Sequence, residues 1–279
     1  NHKSQEKKRN VLEVAATYMW YARLKKDDAN KYLQARGLNQ DSIKKWGIGY
    51  ASRSNLQNKN YDKKGISHDV LVDHDIYGKS DDGRTFPRFR QRIMFPIHNE
   101  YGAIVGFGGR IFDAKNDDVA KYLNSPQSDR FDKSRILYGL DKAKDAIAKA
   151  NNVVVSEGYL DVILQHQIGI EQSVATLGTA FTEKHLRLIP NDVEIILAFD
   201  GDKPGIKAAK KAARTIIAAG RIGRIIIWPE GQDPASLIAD GRGNEVKRII
   251  ENYQLQPRVE LWLLEMHLQE RLRCKQRVM

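Results

Sequence analysis

The stretch Val153-Val154-Val155-Ser156-Glu157-Gly158-Tyr159-Leu160-Asp161, taken together with Val193-Glu194-Ile195-Ile196-Leu197-Ala198-Phe199-Asp200-Gly201-Asp202, decides how the chain is read. Each is a short apolar run that ends abruptly in carboxylates. Such runs read as strands buried on both faces, the pattern of a parallel sheet covered by helices. In an open parallel sheet the C-terminal strand ends line one crevice, so acids distant in sequence meet there. Carboxylate oxygens are hard ligands suited to Mg²⁺. This stretch is therefore expected to form a metal-dependent phosphoryl-transfer centre.

Strand and helix patterns alternate outward from it. A helix is expected from Tyr159 to about Gln167, a short strand over 172–175, and a helix over 182–188 stopped by Pro190. Beyond Asp202 comes a helix with Pro204 in its first turn and Gly220 at its end, then a strand over 224–228. Gly231-Gln232-Asp233-Pro234 returns the chain to the same crevice. Alternating strands and helices predict a parallel sheet. Helices over 234–239, over 244–251 and from Arg258 onward complete the pattern.

Glu157 directly follows its strand, with Asp161 one helical turn further on, and Asp200 and Asp202 flank Gly201, which permits a sharp turn. Two carboxylates have a second reading. Asp202 before Lys203-Pro204 and Asp233 before Pro234 both have the form of a helix N-cap followed by an early proline. Ligand and cap both stay open for them. Glu157 and Asp200 have no capping alternative.

The half of the chain before the acids is different in character. Residues 1–150 carry 29 Lys and Arg against 19 Asp and Glu, whereas residues 151–200 carry two against seven. A basic region joined to an acidic centre suits a polyanionic substrate. Helices are expected from Lys7 to about Lys26, from Asp27 or Asp28 to Arg36 with Gly37 as the left-handed stop, and to Trp46 with Asp41 as cap. His68, Asp69, Asp73, His74 and Asp75 cluster in a polar stretch but lack a repeated ligand spacing, and read as a solvated loop or strand edge. In Phe86–Ile97 the alternation of Arg88, Arg90 and Arg92 predicts a strand with three guanidinium groups on one face, suited to phosphates. A turn at 99–102 leads to a glycine-rich strand over 103–112, which no Gly-Lys-Ser/Thr follows, so it is not a Walker A loop. Lys121–Pro126 is extended, Ile136–Leu140 reads as a strand, and Asp141 as the cap of a helix to Ala150.

No apolar run approaches the length of a membrane helix, and no signal segment follows the charged start, so a soluble cytoplasmic protein is expected. Cys274 is the single cysteine, which excludes an intrachain disulfide and a multi-cysteine zinc site. The first residue, Asn1, suggests a fragment or processed chain.

At these residues the chain resembles the Toprim domain, in which one strand ends in Glu-Gly and a later one in Asp-x-Asp. It is similar in more detail to the catalytic core of DnaG-type bacterial primases. The resemblance is carried by Ser156–Val162, Ala175-Thr176-Leu177-Gly178-Thr179, Phe199–Asp202 and Gly231–Pro234. Upstream it is carried by Tyr32-Leu33 with Arg36-Gly37-Leu38, Arg90–Ile97, Gly106–Arg110 and Lys121–Pro126. The implied fold is an α/β Toprim parallel sheet flanked by helices (152–237), preceded by a basic mixed α/β subdomain for template and nucleotide (1–151) and followed by a small helical subdomain (238–279).

The implied activity is template-directed synthesis of short RNA primers on single-stranded DNA for replication at the bacterial fork. Glu157, Asp200 and Asp202 match the family's metal-binding acids, with Asp161 and Asp233 as its further acidic positions and Asp233 counted among the metal ligands. Arg36, Arg110, Lys121, Asn124 and Lys133 match positions that bind template, primer or nucleotide, and Arg90 lies in the arginine-rich motif. Mg²⁺ is the implied cofactor, with Mn²⁺ as substitute and no zinc. Implied partners are the single-stranded template, ribonucleoside triphosphates and the RNA–DNA hybrid product; a replicative helicase would bind only through a C-terminal module outside this chain, and no membrane is involved. One departure stands out: the family often has Asp-Pro-Asp where this chain has Asp233-Pro234-Ala235. The acids alone leave other readings, namely a Toprim nuclease, a topoisomerase-like enzyme or a non-catalytic nucleic-acid-binding module.

Overall fold

The computed structural model describes residues 11–52, 61–112 and 120–276, with the side chains of 270–276 excepted. The expected helix start at Lys7, part of the polar stretch (53–60) and the Cys274 side chain lie outside the described residues. The chain divides into two compact units, one made of Asn1–Ala35, Asn39–His98 and Ala103–Phe131, the other of Arg36–Leu38, Asn99–Gly102 and Asp132–Met279.

In the first unit, helices Val11–Leu24, Asp27–Ala35 and Gln40–Lys45 precede a four-stranded antiparallel sheet. Its strands are β1 (Gly49–Ala51), β4 (Arg92–His98), β5 (Ile104–Ile111) and β6 (Tyr122–Asn124), paired in that order, while β2 (Tyr77–Lys79) and β3 (Thr85–Pro87) form a separate pair. Met19, Tyr61, Leu71, Phe89, Met94 and Phe107 belong to its core. A fully buried apolar side chain of this size stabilises the fold by about 1.5–3 kcal/mol.

Five local expectations are corrected here. The arginine strand is interrupted: β3 ends at Pro87, β4 starts at Arg92, and Gln91 sits between them at φ +53°, its N–H donating to the Ala51 carbonyl at 2.6 Å. The left-handed residue breaks the period-two alternation, so the three guanidinium groups do not share a face. Arg92 is 5% exposed and donates to the carbonyls of Gly109, Ala120 and Lys121. Secondly, Asn39, not Asp41, caps the third helix, its Oδ1 accepting the Ser42 N–H at 2.7 Å. Thirdly, His68–Asp73 is a helix capped by Ser67 rather than a loop or strand edge. In the second unit, residues 136–140 form no regular strand; Tyr138 makes a single bridge to Ala175, and Gly139 at φ +84°, not Asp141, precedes the helix Leu140–Ala150.

The second unit holds β7 (Asn152–Ser156), β8 (Ser173–Ala175), β9 (Glu194–Leu197) and β10 (Gly223–Ile225), all parallel, in the order β10-β9-β7-β8. Helices Tyr159–Gln167, Glu183–Leu186 and Lys203–Ala218 make the crossovers. Ile195, Ile196 and Leu197 on β9 and Val153, Val154 and Val155 on β7 are wholly buried, which is why both strands read as uninterrupted apolar runs. The chain leaves β7 toward β8 and then returns to the opposite side of β7 as β9. The C-terminal ends of β7 and β9 therefore form the topological switch point, the place where open α/β sheets bind ligands. Pro234–Leu237, a kinked segment Ile238–Arg242 with Gly241 at φ +81°, Gly243–Glu251 and Val259–Gln276 follow. No helix among the described residues is long and apolar enough to cross a membrane.

Candidate active site

Val155 pairs with Leu197, so β7 and β9 end level with one another and deliver Glu157 and Asp200 side by side. Glu157 Oε1 accepts the backbone N–H of Asp200 at 3.0 Å. The turn after β9 is tight because Gly201 lies where a Cβ would stand 2.3 Å from the Pro229 carbonyl oxygen. Its N–H donates to the Gln232 carbonyl at 2.9 Å, tying the Asp200–Asp202 turn to the loop that carries Asp233. Gly205 is equally constrained: a Cβ there would lie 2.2 Å from the Asp200 carbonyl oxygen and 2.8 Å from Glu157 Oε1. The first turn of the helix Lys203–Ala218 thus lies directly against the acids.

Asp202 and Asp233 do cap helices. Asp202 Oδ1 accepts the Gly205 N–H at 2.7 Å, and Asp233 Oδ1 accepts the Ser236 N–H at 2.6 Å. Each cap uses one carboxylate oxygen, so capping does not exclude a second role for the other. Asp161 is 7% exposed and uses both oxygens, Oδ2 accepting from Gly158 N–H at 3.0 Å and Oδ1 from Ala235 N–H at 3.1 Å.

The electrostatics follow from five carboxyl groups crowded at one sheet end. Burial, then the charges of Asp161 and Glu157, push Asp200 up to about 8. Burial, then Asp233, pushes Asp161 up to about 7. Glu157 is raised mainly by burial, against the lowering effect of the Asp200 N–H, with Asp202 and Asp233 adding to the rise. Asp200 also lines an apolar cleft of about 230 Å³ with Phe199, Ile206, Trp228 and Trp262, and its Oδ1 is buried without a hydrogen-bond partner. Among the described residues no three His, Cys, Asp or Glu side chains are arranged to enclose a metal ion by themselves.

The basic and polar residues are distributed between the two units. In the first, Arg110 on β5 stands opposite Tyr122 on β6 and donates to its hydroxyl; its guanidinium lies 5.0 Å from the Tyr122 ring and 5.6 Å from that of Tyr32. Its Nε is buried without a partner. Asn124 is two residues further along β6, paired with Gly108, and Lys121 is exposed just before the strand. Arg90 is exposed in the turn before β4, donating to the Pro87 carbonyl at 3.0 Å and lying 5.2 Å from the Phe86 ring. Arg36 and Lys133 belong to the second unit and are half-buried; the Lys133 carbonyl is bonded to His185 Nε2. Sequence reasoning missed Tyr32 and Tyr122, which hold the Arg110 guanidinium, and Gly205. The only signal for Gly205 was a glycine inside a helical run, next to a proline.

Comparison with known proteins agrees with this geometry. Residues 19–144 match the family model "DNA primase catalytic core, N-terminal domain", and residues 154–238 match "Toprim-like". The DNA primase of Helicobacter pylori is 46% identical over 218 residues, covering 77% of this chain and 38% of that protein. The chain thus spans little more than a third of the length of that curated relative. The Aquifex aeolicus primase structure, with zinc-binding and RNA polymerase domains, superposes with a TM-score of 0.82 at 29% identity, covering 95% of this chain and 64% of that one. A DnaG primase catalytic domain solved with bound single-stranded DNA gives a TM-score of 0.79 at 31% identity, covering 94% and 83%. With the acids gathered at the switch point of a Toprim-like sheet and the preceding unit matched in its own right, the chain belongs to the family of DnaG-type bacterial primases, as their catalytic core.

Proposed function

We propose that this chain is the nucleotidyl-transfer core of a primase that makes short RNA primers on single-stranded DNA. The observation that carries the reading is the meeting of Glu157 and Asp200 at the β7/β9 switch point, with a buried Asp200 oxygen that has no partner. In functional terms the division is residues 1–151 for template and nucleotide, 152–237 for chemistry and 238–279 as helical support.

The residues fit a divalent cation. Glu157, Asp161 and Asp200 are closely set carboxyls of raised proton affinity, and the unpartnered Asp200 Oδ1 is an available donor. Mg²⁺ commonly takes only one or two carboxylates and completes its shell with water and substrate phosphate, so an open set fits it better than a closed cage. Glu157, Asp200, Asp202 and Asp233 are the residues that would hold it, with Mn²⁺ as substitute. When bound, such an ion supplies activation of a 3′-hydroxyl and charge neutralisation at the α-phosphate.

The chain's own residues contribute position and charge. Glu157 fixes the Asp200 backbone, and the caps at Asp202 and Asp233 fix their carboxylates at helix starts. Arg110 is as buried as Arg92 but is held by Tyr32 and Tyr122 and keeps an unpartnered Nε, so its rotamer is already set for a phosphate that reaches it, at small entropic cost. Lys121, Asn124, Arg90, Arg36 and Lys133 are assigned to template, primer or nucleotide. The substrates are then single-stranded template and ribonucleoside triphosphates, the product an RNA–DNA hybrid, and the setting the bacterial cytoplasm. The DNA-bound relative supports the template assignment. The test is incorporation of labelled ribonucleotides on a single-stranded template, wild type against Asp200→Asn. Incorporation retained by the variant overturns the reading.

A further inference from the structure

Five carboxylates stand at the sheet end, and one of them differs from the rest in having both oxygens engaged by backbone. Asp161 lies in the first turn of the helix Tyr159–Gln167; its Oδ2 reaches back to the N–H of Gly158, which directly follows Glu157. Its Oδ1 reaches across to the N–H of Ala235, two residues after Asp233 and in the first turn of Pro234–Leu237. Both are helix-start donors with no partner inside their own helices. Asp161 and Ala235 are buried, so the Ala235 N–H would find no water if the carboxylate were lost, while Gly158 is half-buried.

We infer that Asp161 is a positioning residue: one carboxylate, bridging the N–H groups of Gly158 and Ala235, sets the separation of the Glu157 turn from the Asp233 turn. It acts through those two acids and is not itself a ligand. The inference rests on the proposed nucleotidyl-transfer reading for its purpose, though not for its geometry. It also gives Ala235 a use. The partner of Asp161 at that position is a peptide N–H, which any residue but proline supplies, so this link needs no acid at 235. A side chain with no acceptor oxygen serves neither donor, and that decides the experiment.

Amide hydrogen exchange is measured on metal-free protein, wild type against Asp161→Ala, together with Mn²⁺ titration followed by electron paramagnetic resonance. Exchange should rise about tenfold in both 157–161 and 233–237, while 203–209, held by the Asp202 cap, stays as in wild type. The Mn²⁺ dissociation constant should rise about tenfold, and in nucleotide incorporation kcat should fall while KM changes little. Asp161→Glu, which keeps two acceptor oxygens, should restore part of the protection of both segments. It also serves if Asp161→Ala does not fold, and in either variant loosening of only one segment overturns the inference. So does loss of Mn²⁺ affinity with wild-type exchange, which would make Asp161 a ligand, or faster exchange at 157–161 alone, which would make it only a local cap. Exchange and titration need no nucleotide. Wild-type protein that shows the coupled protection but fails to incorporate ribonucleotides would sink the primase reading and leave the bridge standing.

Discussion

The backbone N–H of Asp200 donates to Oε1 of Glu157 at 3.0 Å, so one acid of the centre is held by the peptide of the other. The bond crosses from the end of β7 to the end of β9 and depends on both strands ending level. It orients Glu157 without consuming the Asp200 side chain, whose Oδ1 is buried and unpartnered. Asp200→Asn keeps this peptide bond and nearly the same shape but removes the charge. Ribonucleotide incorporation is expected to fall by more than about 100-fold, a loss typical of removing one group that stabilises developing charge. Circular dichroism should be unchanged and the melting temperature equal or higher, because a poorly solvated charge has gone.

The same crowding predicts how metal-free stability depends on pH. Asp200 is pushed up to about 8 and Asp161 up to about 7, both above their unfolded values. Between about pH 4 and pH 8 these two carboxyls therefore hold more protons in the folded than in the unfolded chain and lower stability as pH rises, opposed among the described residues by His185, which burial shifts down. Melting temperatures across the window should decline for the metal-free wild type and decline less for Asp200→Asn. Added Mg²⁺ should raise the wild-type melting temperature more at the upper end than at the lower end. A flat wild-type profile would mean that the acids are not coupled.

Gly205 tests the packing beneath the site. A methyl group there would meet the Asp200 carbonyl oxygen at 2.2 Å and Glu157 Oε1 at 2.8 Å, and the first of these is backbone that cannot swing away. Gly205→Ala is expected to cost about 1–3 kcal/mol in denaturant unfolding, as overpacking does. Mg²⁺-dependent incorporation should fall as well, because relief of the clash moves the Asp200 turn.

Much of this centre was legible in the chain itself, for definite reasons. Val193–Phe199 reads as a central strand because burial on both faces demands apolar residues, and Ile195–Phe199 is buried accordingly, while Glu194 at the start of β9 is half-buried and paired with Arg224. Asp202 and Asp233 were readable as caps because proline follows each closely. The Arg88–Arg92 strand was not readable: its alternation is broken at Gln91, a left-handed residue with no glycine or asparagine to announce it. The link from Asp161 to the N–H of Ala235 was invisible for a deeper reason. It joins residues 74 apart through a peptide N–H, and a peptide N–H leaves no mark on residue identity.

Arg92 gives a prediction opposite to its first reading. The guanidinium is buried and donates to the carbonyls of Gly109, Ala120 and Lys121, so it secures the β4–β5–β6 region instead of facing phosphate. Arg92→Ala is expected to lower unfolding free energy by about 2 kcal/mol or more, since the buried Gly109 carbonyl and the part-buried carbonyls of Ala120 and Lys121 lose a charge-assisted donor. Arg92→Lys, with a single ammonium in place of a fork, should recover only part of that.

Lys121 supplies the contrast. It is exposed at the start of β6, next to the Tyr122 that holds Arg110, and its side chain carries no cost of burial. A lysine that contacts one phosphate of a single strand releases about 0.7 of a counterion, so its removal changes the salt dependence of binding by about that amount. Lys121→Ala should therefore reduce the slope of log affinity against log salt for a single-stranded oligonucleotide by about 0.7 while leaving the melting temperature unchanged. Fluorescence anisotropy across a salt series measures the slope. A mildly destabilising replacement at Arg92, assayed well below its melting temperature, should leave the slope at the wild-type value. The two basic residues thus separate by which quantity moves, stability for the buried one and salt slope for the exposed one, and an unchanged slope in Lys121→Ala would remove Lys121 from the nucleic-acid surface.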